Sequence, residues 1–200
     1  MNLPELVQDW ERWSATADKP RDGWETLYPR WSNEVVLAIT EALSEPITNS
    51  DAEAILFFLG RDNECENVLD MLSEKPKHSE RIAIEAIDHP DQEVRWQIAV
   101  VLGQIATGGT LDALSRMLAD PDEYVRRRAL LAVRDHRPQV AEETALSWLN
   151  SGHEYSRMVA LDTLAKVKSK NLLDAIQVLE DDPSSVVQQR RAKVIAETGQ

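Results

Sequence analysis

The sequence feature that most constrains the fold is a segment that recurs every 31 residues. Its clearest copies are HPDQEVRWQIAVVLGQIA at 89–106 and DPDEYVRRRALLAV at 120–133, and weaker copies follow at 151–167 and 182–199. Each copy has a proline or glycine in its opening turn, and an apolar residue or a serine comes four residues later. The turn residues are Pro90, Pro121, Gly152 and Pro183. A fixed period of this length indicates an array of stacked units that share one local structure.

The recurring segments have the pattern of amphipathic helices. Their apolar residues fall at spacings of three, four and seven, and an acidic turn precedes them. Asp120 and Asp122 are suited to cap the free amides at the start of one such helix. Two helices per repeat predict an all-α fold, a right-handed α-solenoid of helix pairs. The shorter helices of the pairs are predicted at 51–60, 79–88, 110–119, 139–149 and 171–180.

The same register predicts which side chains form the core. An earlier segment, RDNECENVLDML, fits the pattern at a spacing of 29 and puts Cys65 where other copies have valine. We therefore expect Cys65 to be a small buried side chain and not a nucleophile. The other predicted core residues are Val94, Leu102, Val125, Val133 and Leu164.

These residues resemble a known family, the short HEAT-like repeats first named from phycobilin lyase subunits. The family pattern is an Asp-Pro-Asp turn, then Val-Arg, a small residue and a leucine near the helix end, and DPDEYVRRRALLAV matches it best. The resemblance covers about residues 50–199. The fourth copy departs from it at Ser156, and the last departs at Gln188 and Arg191, as expected of a C-terminal cap repeat. The resemblance implies a fold, but family members include lyases, scaffolds and regulatory adaptors.

Three arginines recur at one position of the repeat. Arg95, Arg126 and Arg157 each follow the valine or serine position directly. The resemblance implies that such arginines bridge to turn aspartates of an adjacent unit, which makes them structural residues. The available turn aspartates are Asp91, Asp122 and Asp182.

The helix face opposite the core is the candidate binding surface. At about 100° per residue, Arg127 and Arg134 lie opposite Val125 and Val133. The resemblance implies that the second helices line a concave surface, and tryptophan, tyrosine and arginine are frequent at binding hot spots. The alternative is that the aromatic side chains fold down between helices and are half buried. The predicted partner-binding row is Trp96, Tyr124, Arg127, Arg134, Tyr155, Met158 and Asp162.

The N-terminal segment, residues 1–33, lies outside the repeat array of residues 34–200. It contains four of the six tryptophans, Trp10, Trp13, Trp24 and Trp31. We expect a helix over about residues 4–15, followed by an aromatic loop that covers the exposed first repeat. The alternative is an aromatic arm that binds a partner.

Charge and composition restrict the classes of partner. Residues 1–120 carry 23 acidic and 10 basic side chains, whereas residues 121–200 carry 12 of each, for a net charge of -13. An acidic chain repels phosphate backbones, which disfavours nucleic acid. There is one cysteine, no secretory signal at the start, and no apolar run near the length of about 18 residues needed to span a membrane. These features predict a cytoplasmic protein and leave its oligomeric state open.

Catalytic motifs are not found in the sequence. The four histidines are never three or four residues apart, zinc spacing is missing, and LGQIATGG lacks the lysine of a phosphate loop. We expect no cofactor and no metal. The sequence therefore favours a non-catalytic scaffold or adaptor that binds another protein or peptide. The alternatives are a bilin lyase or chaperone-like subunit, which rests on the resemblance, and a DNA-binding or repair protein, which rests on the basic residues after position 120.

Overall fold

A computed structural model describes residues 1–16, 27–62 and 65–199. These residues form helices and turns, and none of them belongs to a strand. Trp24 and most of the expected aromatic loop lie outside the described residues. The chain divides into two units, Met1–Thr110 and Leu111–Gln200, which are taken in turn.

The first unit pairs its helices around one central helix. The elements are α1 (Leu3–Thr16), a π-helical turn (Trp31–Val35) that continues into α2 (Val36–Ala42), α3 (Asn49–Leu59), α4 (Asn67–Glu74), α5 (Pro76–Glu85), a 3-10 turn (Ala86–Asp88) and α6 (Gln92–Ile105). Helices α3, α4 and α5 each pack against α6, the central helix, and α1 packs against α3. The boundary between the units falls within α7 (Gly108–Met117).

The second unit is built around the helix that runs from Glu154 to Lys166. Its helices are α8 (Glu123–Val133), α9 (Pro138–Trp148), α10 (Glu154–Lys166), α11 (Leu172–Val178) and α12 (Ser185–Thr198). Helix α10 packs against both α8 and α12, while α9 and α11 also pack on α10. This is the helix-pair arrangement that the repeat predicts.

The predicted core is confirmed in both units. Val94, Leu102, Val125, Val133 and Leu164 are all completely buried. Val94 and Val125 share one position of the repeat, and Leu102, Val133 and Leu164 share another. The 31-residue register therefore predicts which face of the second helix in each pair is buried. The described residues therefore have the all-α fold of helix pairs that the repeat predicts.

Turn aspartates begin these helices, as the sequence predicts. The side chain of Asp122 accepts hydrogen bonds from the backbone amides of Tyr124 and Val125 at 2.8 and 3.1 Å. Asp91 does the same for Glu93 at 2.9 Å. Each cap satisfies amides that the helix itself leaves unpaired, and so fixes the residue at which the helix starts.

The prediction for Cys65 is wrong, because the cysteine is exposed in a turn. The fully buried valine of this repeat is Val68, in the first turn of α4. Its amide donates to the buried carboxylate of Asp62 at 2.6 Å. Val68 lies six positions after Asp62, whereas Val125 lies three positions after Asp122, so the repeat register differs here.

The N-terminal helix packs its apolar face onto the first repeat. Leu6 and Trp10 of α1 are buried, and the Trp10 ring meets Phe57 of α3 edge-on at 5.3 Å. Trp31 makes a similar contact with Phe58 at 5.9 Å. These contacts support the capping role, which we propose for this segment. The expected boundary between residues 33 and 34 falls inside the continuous helical stretch formed by the π-helical turn and α2.

Candidate functional site

Trp96 does not belong to an accessible row. The side chain is 4% exposed, and its indole N–H donates to the Glu93 carboxylate at 2.8 Å. Trp96 also lies in the first unit, whereas the other predicted row residues lie in the second. The prediction that Trp96 belongs to the partner-binding row is therefore wrong. Its indole is buried among the helices, which is the alternative that the sequence had left open.

A cluster of two tyrosines and one arginine lies on the second unit. Tyr124 and Arg127 come from α8 and Tyr155 from α10, and the tyrosines are 39% and 45% exposed. The guanidinium carbon of Arg127 is 5.0 Å from the ring centroid of Tyr124 and 5.1 Å from that of Tyr155. Both distances are within the range of a cation–π contact. These three residues are called the tyrosine–arginine cluster below.

The repeat explains why these three side chains meet. Tyr124 and Tyr155 each follow their turn residue by three positions, so stacking α8 on α10 brings the two rings to equivalent places. Arg127 lies three residues after Tyr124 and therefore on the same face of α8. The cluster thus forms where one repeat position holds tyrosine twice in succession.

A buried hydroxyl ties the cluster to the neighbouring helix. The Ser156 hydroxyl, only 3% exposed, donates to Oε1 of Glu123 at 2.6 Å. The same oxygen lies 2.8 Å from Nε of Arg127, an ion pair whose N–H is not aligned for a hydrogen bond. Ser156 was visible in the sequence as a departure from the valine of other copies. A valine at this position could not donate the hydrogen bond that Glu123 accepts.

The outer edge of the Arg127 guanidinium is open. Within residues 1–16, 27–62 and 65–199, no hydrogen bond or ion pair engages its two Nη atoms. The side chain is 17% exposed, and Nε is the atom of the group that is sealed from solvent. Arg127 therefore has a fixed inner edge and an outer edge with hydrogen-bond donors to spare.

The remaining row residues are partly occupied by other contacts. Asp162 accepts a hydrogen bond from Nε of Arg190 on α12, a partner that the sequence analysis missed. Nε of Arg134 lies 3.9 Å from the Asp135 carboxylate, and Met158 is half-buried. Asp162 is therefore already paired with a neighbouring cation.

The recurring arginines hold the turns that precede their own helices. Arg95 donates to the carbonyl of His89 at 2.9 Å, Arg126 to that of Asp120 at 2.6 Å, and Arg157 to that of Ser151 at 2.7 Å. In each case the acceptor lies six residues earlier. This shared contact is local, whereas the family resemblance had implied a contact between repeats.

Arg157 also makes the contact that the resemblance implied. Its Nε and Nη2 donate to the two carboxylate oxygens of Asp182 at 2.6 and 2.8 Å. These hydrogen bonds hold the pKa of Asp182 below its usual range and raise that of Arg157. Asp182 lies 25 residues after Arg157, whereas the residue 25 positions after Arg126 is Ser151. Arg126 therefore has no aspartate at the position that corresponds to Asp182. Arg126 and Arg157 therefore differ in this contact.

Within residues 1–16, 27–62 and 65–199, no helix is both long and apolar enough to cross a membrane. No group of three histidine, cysteine, aspartate or glutamate side chains there is arranged to hold a metal ion.

The paired helices and their turn geometry define a helical repeat protein. Residues 67–134 match the family described as HEAT repeats. No curated protein matches the sequence. Among solved structures, the chain is similar to an engineered protein crystallised by the Northeast Structural Genomics Consortium, at 18% identity and a TM-score of 0.49 over 100% of this chain and 97% of that one.

Proposed function

We propose that the protein is a non-catalytic scaffold or adaptor that binds another protein through the tyrosine–arginine cluster. The observation that carries this proposal is the exposure of Tyr124 and Tyr155 on adjacent helices, 39% and 45%, on either side of Arg127. Tyrosine and arginine are enriched among the residues that dominate binding energies at protein interfaces. HEAT-like repeats present such residues on extended surfaces made by successive helices.

The cluster is ordered before any partner arrives. Glu123 and Ser156 fix the inner edge of Arg127, and the two rings restrain its planar group. Binding to a pre-ordered arginine loses less side-chain entropy than binding to a free one, by about 0.5–1.5 kcal/mol for each immobilised side chain. This order favours a binding role over a role in solubility alone.

Quantitative affinity capture from a lysate of the source organism tests the proposal. The immobilised proteins are the unaltered chain, the double variant Tyr124→Ala/Tyr155→Ala, and a control in which Leu173 and Val178 become alanine. The control residues are 54% and 55% exposed, also in the second unit, but on α11. We expect proteins that bind the unaltered chain and the control to be depleted by at least about tenfold on the tyrosine variant. Equal recovery on all three would contradict the proposal.

A further inference from the structure

We propose that the tyrosine–arginine cluster recognises a carboxylate, and that its ligand is an acidic peptide segment of the partner protein. This inference rests on the proposed function and adds the chemistry of the ligand. An aspartate or glutamate side chain of the peptide would accept hydrogen bonds from the open Nη edge of Arg127.

The geometry of Arg127 is suited to a carboxylate. The two Nη atoms carry donors that no described residue engages, while Nε is held against Glu123 at 2.8 Å. A planar guanidinium with one fixed edge presents parallel donors at the spacing of the two oxygens of a carboxylate. A lysine at this place would offer a point charge without that directional match.

The surroundings strengthen such a pair. The rings of Tyr124 and Tyr155 lie over the guanidinium at 5.0 and 5.1 Å, so an ion pair formed there is partly shielded from water. Shielding raises the Coulomb attraction above its value for a fully exposed pair. The tyrosine rings also offer apolar contact area to the residues that flank the acidic side chain.

The local charge favours an anion despite Glu123. Arg128 also lies near the Tyr124 ring, with its guanidinium carbon 6.0 Å from the centroid. The Glu123 carboxylate shares its Oε1 with the Ser156 hydroxyl. A short acidic segment would meet the guanidinium groups of Arg127 and Arg128 at close range. Both kinds of ligand meet the long-range repulsion of a chain with a net charge of -13, and this repulsion is smaller for a short acidic segment than for the continuous phosphate backbone of a nucleic acid.

Ser156 acts as a positioning residue for this site. Its hydroxyl orients Glu123, and Glu123 in turn orients Arg127. Threonine and valine have nearly the same shape, and of the two only threonine keeps the hydroxyl. Ser156→Val and Ser156→Thr therefore form a matched pair that separates the hydrogen bond from the packing of the buried position.

Fluorescence anisotropy with labelled hexaglutamate, and with hexaglutamine as the neutral peptide, tests the inference. We expect the unaltered protein to bind hexaglutamate at least about tenfold more tightly, and Arg127→Gln to lose that preference. Arg137→Gln is the control with the same change in charge, since Arg137 pairs with Asp112 away from the cluster. Ser156→Val should weaken binding several-fold, while Ser156→Thr should bind as the unaltered chain does.

Three outcomes would overturn the inference: equal binding of the two peptides, equal losses in Arg127→Gln and Arg137→Gln, or tighter binding of a labelled DNA duplex than of hexaglutamate. Circular dichroism of every variant verifies that it is folded. If lysate proteins are captured through the tyrosines but hexaglutamate does not bind, the scaffold function stands and the carboxylate chemistry is wrong. If neither capture through the tyrosines nor hexaglutamate binding is observed, the proposed function is contradicted as well.

Discussion

Removing Arg157 should destabilise the second unit far more than removing the equivalent Arg126. Arg157→Ala deletes two hydrogen bonds to Asp182, at 2.6 and 2.8 Å, and one to the Ser151 carbonyl. The Asp182 side chain is 4% exposed and would keep only its hydrogen bond from the Ser184 amide among those described. Arg157→Ala therefore leaves a buried carboxylate without its cation.

The contacts set the size of each effect. Removal of one partner from a buried ion pair costs about 3–5 kcal/mol, and we expect Arg157→Ala near the lower end, because Ser184 still donates to Asp182. Arg126→Ala deletes hydrogen bonds to two uncharged backbone carbonyls, a part-buried one at 2.6 Å and an exposed one at 3.0 Å. Its cost should be about 1–2 kcal/mol. The expected difference between the two variants is thus about 2 kcal/mol.

Urea denaturation followed by circular dichroism measures both variants. A double-mutant cycle that adds Asp182→Ala isolates the pair, and we expect a coupling energy between Arg157 and Asp182 of about 1–3 kcal/mol. Arg126→Ala is the matched control, because it occupies the same repeat position. Equal destabilisation by the two alanine variants, or a coupling energy near zero, would refute the assignment of Arg157 as the residue that joins two repeats.

Three further expectations concern stability. Gly60→Ala should cost about 1–3 kcal/mol in a urea titration, because a Cβ there would lie 2.9 Å from Val94 and 3.0 Å from Asp91; an unchanged midpoint would refute the close approach of α3 and α6. Trp96→Ala should lower the free energy of unfolding by about 3–5 kcal/mol, because it removes a buried aromatic side chain. A melting curve like that of the parent would contradict the burial of the indole. Asp182, with its lowered pKa, stabilises the fold above its unfolded pKa of about 3.9, and this stability should be lost as pH falls through the lower folded pKa; urea titrations between about pH 5 and 2 should show a shallower fall for Arg157→Ala, and parallel curves would contradict this.

The period of the sequence was enough to predict the helices and their buried faces. Val125 and Leu164 are completely buried because the spacing of apolar residues determines which side of a helix meets its neighbours. The aspartate caps were also predictable, because the Asp122 side chain accepts hydrogen bonds from residues only two and three positions away. Features determined by local spacing were therefore accessible from the sequence.

The errors arose where the spacing of one repeat or the packing of neighbouring helices decides the outcome. The spacing between Asp62 and Val68 puts the buried position at Val68 and not at Cys65. A helical wheel places Trp96 opposite the predicted core, but α3, α4 and α5 pack around α6 and Trp96 is 4% exposed.

The contacts between repeats were the least accessible part of the site. Glu123 with Ser156 and Asp162 with Arg190 join residues about 30 positions apart. Their pairing depends on rotamers and on how successive helices are offset, neither of which the residue pattern contains. The sequence did mark Ser156 as unusual, so the departure from the repeat was a usable signal even though its partner was hidden.

Site-specific photo-crosslinking tests the central proposal most directly. Tyr155 is replaced by benzoylphenylalanine, which keeps an aromatic ring at the cluster, and the same group is placed at Leu173 on α11 as the control. After irradiation in a lysate of the source organism, we expect a discrete protein adduct from position 155 whose yield falls when Arg127→Gln is added, and no such adduct from position 173. The same adducts in equal yield from both positions, or none from position 155, would contradict the claim that this face binds a partner protein.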